Sequence, residues 1–484
     1  MAGDHDNDDL PQPFDARRLV SAKKRQRSTS PSGSGNASAS ASGDAPRKLK
    51  RPGQRARISE AEREQIRQRA LERDRLAQQQ QAAEELKQRS GINDVVRAHY
   101  NAVPERGREW RKTDSRIKGL RSFNNWVKSC IIQKFSPDED HAPGAMERGV
   151  SSGNKLLVLD IGCGKGGDLY KWQQAPQTVE LYVGLDPAEV SIDQARERYR
   201  SMANRGGGGG RGGRGGHHRR PPRLFDSRFH VKDCYAETIG DIDIVRQVGF
   251  SASNVSGSHG FDVVSMMFCM HYAFETEEKA RQMLKNVSGA LRKGGRFLGC
   301  IPNSDVITAK VAAFNQRMEE KKKKKADATT TEKTSTTPSP SPPKDQEDGE
   351  LEEGEEREEG EAEETASWGN DIYRVRFPGP TPADGIFRPP FGWKYNFFLH
   401  EAVEEVPEYV VPWEAFRALA EDYNLELQYH KPFGEVWETE KGDRELGALS
   451  ERMGVRDRNT GDLLVSPEEM EAANFYMAFC FYRV

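Results

Sequence analysis

Residues 156–172 read LLVLDIGCGKGGDLYKW, and the reading of this stretch decides the fold. Leu156-Leu157-Val158-Leu159 is an unbroken apolar run of the kind that forms a strand buried on both faces. The run breaks into Asp160-Ile161-Gly162-Cys163-Gly164-Lys165-Gly166-Gly167, whose glycines allow a tight turn and a close approach of a ligand to the backbone. Asp168 is placed to cap the helix that follows, so that free N–H groups and the positive helix end face a bound molecule. Strand, glycine turn and helix start together make a cradle of nucleotide type.

Much of the surrounding chain of 484 residues is expected to be unfolded, because only 35% is hydrophobic, 31% is charged, and 45 glycines and 26 prolines are present. A net charge of -3, from 73 basic and 76 acidic residues, hides segregated basic and acidic blocks, so partners must be read from the blocks. The acidic start MAGDHDNDDL is no signal peptide, and no apolar run approaches the roughly 20 residues that span a bilayer, so no membrane partner is expected. Six scattered cysteines without a C-x-x-C pair point to reduced, structural thiols in an intracellular protein.

The composition divides the chain into a disordered basic tail (1–57), a charged helical linker (58–91) and a folded domain (92–484). Basic clusters at 23–27 and 47–51 read as nuclear localisation signals or nucleic-acid contacts, or as a solvated tail. Ser59 and Glu62 form the capping box of the linker helix. Within the domain, a Gly/Arg-rich insertion is expected at 204–222. A second, at 319–366, passes from lysine through Ser/Thr/Pro to glutamate and is expected to be disordered. Residues 106–128 are dense in Arg and Lys with Trp110, Phe123 and Trp126 interleaved, a composition suited to an RNA end. The helical spacing of Ile117, Leu120, Phe123, Val127 and Ile131 suits packing, which leaves Asn124, Asn125 and Lys128 as candidate ligand contacts.

Beyond the glycine turn, strands predicted at 179–185, 228–232, 261–268 and 296–301 alternate with helices, as in a parallel sheet covered on both faces. Further strands are expected at 394–399, 425–429 and 475–482, the last closing the sheet, and Pro412 suits the first turn of a helix. Ligand groups should sit at strand C-terminal ends, where Asp160, Asp186, Asp233 and the pair His271-Tyr272 fall. Gly162, Gly164 and Gly167 satisfy G-x-G-x-x-G, and Asp186 lies where a dinucleotide enzyme keeps its ribose acid. Lys165 lacks the Ser or Thr that would follow it in a P-loop. Asp160, two residues before Gly162, makes an Asp-x-Gly-x-Gly that resembles the first motif of class I S-adenosylmethionine-dependent methyltransferases. A carboxylate there suits a cationic, amine-bearing cofactor better than a pyrophosphate, which favours a methyltransferase over a dehydrogenase.

RSFNNWVKS (121–129), VLDIGCGKGGDLYKW (158–172), FCMHYAFE (268–275), VPEY (406–409) and FYMAF (475–479) resemble, in this order, the eukaryotic mRNA cap guanine-N7 methyltransferases, in a fungal pattern. The resemblance implies a Rossmann-like class I methyltransferase domain with a mainly parallel twisted sheet, helices on both faces and a C-terminal antiparallel strand. It implies that Lys128, Gly162, Asp186, Asp233, Met267 and Tyr272 contact S-adenosylmethionine. Met267 stands where family members carry Gln, so contact there would run through backbone or packing. The cap side would comprise Asn124, Asn125, Lys165 and Lys171, together with Arg198, His271, Glu408 and Tyr476.

Each cap-side assignment has an ordinary competitor. Lys165, Lys171 and Arg198 can neutralise a triphosphate bridge or be plain surface charges. Glu408 can accept from the guanine Watson–Crick edge or be one solvated acid among Glu401, Glu404 and Glu405. His271 and Tyr476 would otherwise be core residues.

The resemblance implies methyl transfer to N7 of the 5′-terminal guanosine cap. N7 has an in-plane lone pair and no proton to lose, so no catalytic acid, base or metal is expected, only alignment in a suitable field. The partners implied are capped nascent mRNA and, by family, phosphorylated RNA polymerase II and an RNA guanylyltransferase, in the nucleus. A chain that merely tethers capping to transcription, or another RNA methyltransferase, are the competing readings.

Overall fold

The apolar run at 156 becomes the centre of a sheet. The computed structural model describes residues 92–102, 110, 113–137, 154–207, 224–251, 259–332 and 364–484. The expected tail (1–57), the linker helix (58–91), all of the Gly/Arg insertion after residue 207, and residues 333–363 of the second insertion lie outside the described residues.

Strand β1 (Leu156–Ile161) pairs in parallel with β2 (Val179–Asp186) on one side and with β4 (Phe261–Met267) on the other. Outside them, β3 (Asp226–Val231) pairs with β2 and β5 (Leu291–Pro302) with β4, again in parallel. The C-terminal β11 (Tyr476–Arg483) runs antiparallel to β5, and β10 (Leu425–Pro432) lies outside it, completing the order β10-β11-β5-β4-β1-β2-β3. This is the predicted Rossmann-like sheet with its antiparallel C-terminal strand. Burial of β1 and β4 on both faces follows from their largely apolar text, LLVLDI and FDVVSMM.

The helices that bear on the site are α1 (Ile92–Ala102), α2 (Lys118–Phe135), α3 (Leu169–Gln173) and α4 (Glu189–Gly207). Between β3 and β5 run α5 (Asp243–Val248) and α6 (Glu277–Ala290), the latter capped by the Thr276 side chain. Phe123 and Trp126 are 0% exposed, packed with Trp437, so they are core residues rather than bases' stacking partners. The packing role of Ile117, Leu120, Phe123, Val127 and Ile131 is as the spacing predicts.

Two local expectations are corrected. Helix α7 (Ser304–Glu332) continues through the lysine run, where disorder is expected from residue 319. Lysine and glutamate favour helix without needing a core, and Lys321 pairs with Glu364 at 3.0 Å where the chain returns. Pro412 is the N-cap of α8 (Trp413–Glu421) rather than its first helical residue. The strand expected at 394–399 forms as β8 (Lys394–Leu399), in a separate antiparallel sheet ordered β6-β7-β8-β9, with β6 (Ser367–Gly369), β7 (Tyr373–Arg376) and β9 (Val403–Tyr409). That second sheet carries Glu408 on β9.

The chain between β10 and β11 forms α9 (Phe433–Glu440), α10 (Arg444–Arg452) and α11 (Pro467–Ala473), which opens on a Ser466/Glu469 capping box. The six cysteines are free and buried. Among the described residues no helix is long and apolar enough to cross a membrane.

Trp126 ties α2 to α10, because its indole N–H donates to the Leu446 carbonyl at 2.9 Å inside the core. Trp126→Ala removes a buried aromatic and orphans that carbonyl. It is expected to cost about 3–5 kcal/mol, read as a lower urea midpoint in equilibrium unfolding.

Candidate functional site

The C-terminal ends of β1, β2 and β4 open into a cavity of about 1240 Å³. A site for one small ligand takes roughly 300–1,000 Å³, and this space is somewhat larger.

The glycine turn forms one wall. Gly162 has φ +70°, and a Cβ there would stand 2.6 Å from the Cys269 sulfur; Gly164 has φ +51°, and a Cβ there would project into open space. Both conformations strain any residue with a side chain, and the second leaves the backbone bare to a ligand. The Gly162 and Cys163 N–H groups donate to the Leu185 carbonyl at 2.7 and 3.0 Å, which ties the turn to the end of β2.

Asp186 closes that tie. Its carboxylate accepts from the Gly164 N–H at 2.9 Å on one oxygen and from the Ala188 N–H at 2.9 Å on the other. Burial raises its pKa, and the two backbone donors oppose the shift. Each oxygen keeps lone-pair capacity for ribose hydroxyls. Asp233 is held likewise at the end of β3, accepting from the Tyr235 N–H at 2.9 Å and the Ala236 N–H at 3.2 Å.

The two remaining carboxylates differ from expectation. Asp160 does not line the cavity: it is 2% exposed and accepts the Tyr182 hydroxyl at 2.6 Å and the Ser265 hydroxyl at 2.7 Å. Burial, reinforced by the charge of Asp168, pushes its pKa up to about 7 against those two hydrogen bonds. Asp168 precedes α3 but makes no capping bond. One of its oxygens takes the Lys128 ammonium at 2.8 Å, the other the Lys171 ammonium at 2.7 Å. Burial alone would raise the Asp168 pKa, yet the two flanking cations hold it well below the ordinary carboxylate range. Lys171 also donates to the Asn125 side-chain carbonyl at 2.7 Å, and Asn125 donates to the Arg121 carbonyl at 2.8 Å. A continuous polar chain thus runs Lys128–Asp168–Lys171–Asn125, leaving α2 at Lys128 and returning to it one turn earlier at Asn125. Burial lowers the pKa of Lys171, whereas for Lys128 the pull of Asp168 outweighs burial and raises it.

The six predicted cofactor contacts, Lys128, Gly162, Asp186, Asp233, Met267 and Tyr272, all line this cavity. So do Asn125, Lys165, Lys171 and Arg198. Asn124, His271, Glu408 and Tyr476 do not. Asn124 points its side-chain oxygen into a buried place without a hydrogen-bond partner.

His271, Glu408 and Tyr476 instead sit behind the cavity wall. The Glu408 carboxylate lies 3.5 Å from His271 Nε2 and accepts the Tyr395 hydroxyl at 2.8 Å. Neither His271 ring nitrogen makes a hydrogen bond. The wall is made by Tyr272, whose ring is 4.3 Å from that of His271, and by Phe268, whose ring is 4.8 Å from that of Tyr476. Glu408 is buried, which removes the reading of a solvated acid.

Sequence reasoning misses four wall residues. Asp168 reads as a cap because its partner Lys128 is distant in sequence. Phe268 lies in an apolar strand end, yet its φ of +63° turns it toward the cavity and sets its ring 5.6 Å from the Lys128 ammonium. Tyr100 of α1 meets the Tyr272 hydroxyl at 3.1 Å, and Tyr235 donates to the Cys269 carbonyl at 2.8 Å; no sequence signal marks either.

The chain matches the mRNA (guanine-N(7))-methyltransferase domain over residues 83–332 and 355–484. It is 70% identical over 471 residues to the mRNA cap guanine-N(7) methyltransferase of Pyricularia oryzae, covering 97% of this chain and 91% of that protein. The protein of the same description from Aspergillus clavatus is 59% identical over 464 residues, covering 91% and 78%. That from Schizosaccharomyces pombe is 40% identical over 390 residues, covering 81% and 82%.

The Asp160 site makes a stability prediction. A carboxyl whose pKa is raised from 3.8 to about 7 on folding binds a proton in the folded chain that the unfolded chain has released. Stability from this group is therefore highest below the ordinary carboxylate pKa and is lost as pH rises through that range to about 7. Chemical unfolding at pH 5 and pH 8 should show this fall in the unfolding free energy, and Asp160→Asn should flatten it. An unchanged pH slope in the variant would refute the assignment.

Proposed function

Since this chain belongs to the mRNA cap guanine-N7 methyltransferase family and transfers a methyl group from S-adenosylmethionine to N7 of the cap guanine, we propose a division of its site between the two substrates. Lys128, Gly162, Asp186, Asp233, Met267 and Tyr272 hold the cofactor. The fit rests on the bare backbone at Gly164, the fixed Asp186 carboxylate and a lysine–aspartate pair suited to a zwitterion. When bound, S-adenosylmethionine supplies an already activated methyl group.

Asn124, Asn125, Lys165, Lys171, Arg198, His271, Glu408 and Tyr476 take the cap. Lys165, Lys171 and Arg198 put cations on the wall for the triphosphate bridge. Glu408 accepts from the donors on the guanine edge, and the unpaired nitrogens of His271 provide further capacity beside it. Reaching Glu408 calls for the Tyr272 and Phe268 wall to open. N7 attacks through a lone pair and releases no proton, so these residues position and desolvate the reactants and shuttle nothing. Nuclear placement and docking with phosphorylated RNA polymerase II and RNA guanylyltransferase belong to the same reading and rest on the family.

The observation that carries the division is the chain Lys128–Asp168–Lys171–Asn125, in which one carboxylate joins the lysine proposed for the cofactor to the lysine proposed for the cap phosphates. The test is methyl transfer from labelled S-adenosylmethionine to RNA ending in an unmethylated guanosine cap. Label at guanine N7 that depends on the cap supports the reading; label on ribose or an internal base overturns it.

Glu408→Ala should raise KM for capped RNA roughly 10- to 150-fold, the value of a buried hydrogen bond to a charged group, while the KM for S-adenosylmethionine moves little. Asp186→Ala should do the reverse. Steady-state kinetics varying each substrate in turn checks both, and equal effects on both substrates in either variant would contradict the division.

A further inference from the structure

The cofactor and cap assignments leave one part of the cavity unused. With about 3.6 residues per turn, the residues of α2 that face the cavity span one arc of roughly 140°. The arc starts at Lys128 and Arg121 on the flank of the cofactor wall, passes Asn125 and Lys118, and ends at Ser129, Ser122 and Gln133 on the other flank. Two further elements line the cavity. Helix α3 presents Tyr170 and Gln174, which bracket Lys171 in sequence. Helix α10, fixed against α2 through Trp126 and Leu446, brings Arg452 to the cavity with its last residue.

Tyr170 is the largest exposed aromatic of the cavity wall, 59% exposed, and none of the ring contacts among the described residues involves it. A folded protein that leaves an aromatic face open at the rim of a ligand cavity provides a stacking surface. Arg452 is exposed and takes part in no ion pair among the described residues. Its acidic neighbour Glu451 is already engaged by Arg456 at 2.6 Å, so the guanidinium keeps its charge for another anion. An arginine at a helix C-terminus also suits the helix dipole, which is why the two side chains need separate tests.

Resting on the cap reading above, we propose that this flank is a subsite for the transcript beyond the cap: Tyr170 stacks on the base of the first transcribed nucleotide, and Arg452 binds the phosphate on its 3′ side. The polarity follows from Lys171, which joins the phosphate wall while its sequence neighbour Tyr170 faces the rim. A base reached across the triphosphate bridge would meet the tyrosine before the arginine. Stacking tolerates any base, so the subsite measures the presence of a transcript rather than its sequence.

A ladder of ligands binding to the full chain tests this, by titration calorimetry with guanosine 5′-triphosphate, GpppA and GpppApA. Wild type should gain affinity at each step. Tyr170→Ala should remove the gain from guanosine triphosphate to GpppA, a loss of about 5- to 150-fold by the usual value of stacking on an aromatic ring, and Tyr170→Phe should keep it. Arg452→Gln should remove the gain from GpppA to GpppApA and reduce its salt dependence. Both positions are exposed, so the variants should fold, and the urea midpoint checks this. A wild type that binds all three ligands equally, or variants that preserve each step, would overturn the subsite while leaving the cap reading intact. A wild type that binds none of them would instead overturn the cap reading and the subsite with it.

Discussion

A buried carboxylate shared between two ammonium groups is the constraint on which the site depends. Asp168 is about one-tenth exposed, and its two oxygens bind Lys128 from α2 and Lys171 from α3. Removing three charges from water is costly, and one negative charge does not cancel two positive ones. Among these three groups one positive charge is left over, in a cavity that Asp186 and Asp233 also line. Both substrates bring an anionic group to it: a carboxylate on the cofactor and a triphosphate on the cap. The shared carboxylate therefore holds close together two lysines that would otherwise repel each other.

The rest of the fold keeps these groups in register. Strand β1 delivers the glycine turn, and the N–H groups of that turn are tied to the end of β2, where Asp186 closes the loop. Helix α2 supplies Lys128 and Asn125 from one face and buries Phe123 and Trp126 on another, so its rotation about its axis is set by core packing. The second, antiparallel sheet brings Glu408 up behind Tyr272. Positioning is thus spread over the whole domain, as expected where chemistry needs alignment rather than a proton relay.

Much of this is legible in the sequence, for identifiable reasons. The parallel sheet announces itself because strands buried on both faces have unbroken apolar text, and the ligand groups follow from the rule that strand C-terminal ends face the crevice. What is not legible depends on distant neighbours. Asp160 reads as a cofactor acid, but Tyr182 and Ser265, 22 and 105 residues away in sequence, take both its oxygens. Asp168 reads as a helix cap because Lys128, 40 residues earlier, gives no sign that it will fold against it. The aromatic residues among the arginines before Lys128 suggest base stacking, yet the same helical spacing that marks Ile117 and Leu120 as core also buries Phe123 and Trp126. The lysine run at 321 is a different failure: absence of a core excludes burial but not an exposed helix.

If one segment serves both substrates through Asp168, binding by the Asp168→Asn variant reveals it. Affinities for S-adenosylhomocysteine and for GpppA would be measured separately on variant and wild type by titration calorimetry, with folding verified by circular dichroism. The account predicts that both affinities fall together, because both lysines lose their shared counter-ion and their fixed positions. A variant that loses one ligand and binds the other as wild type does would contradict it.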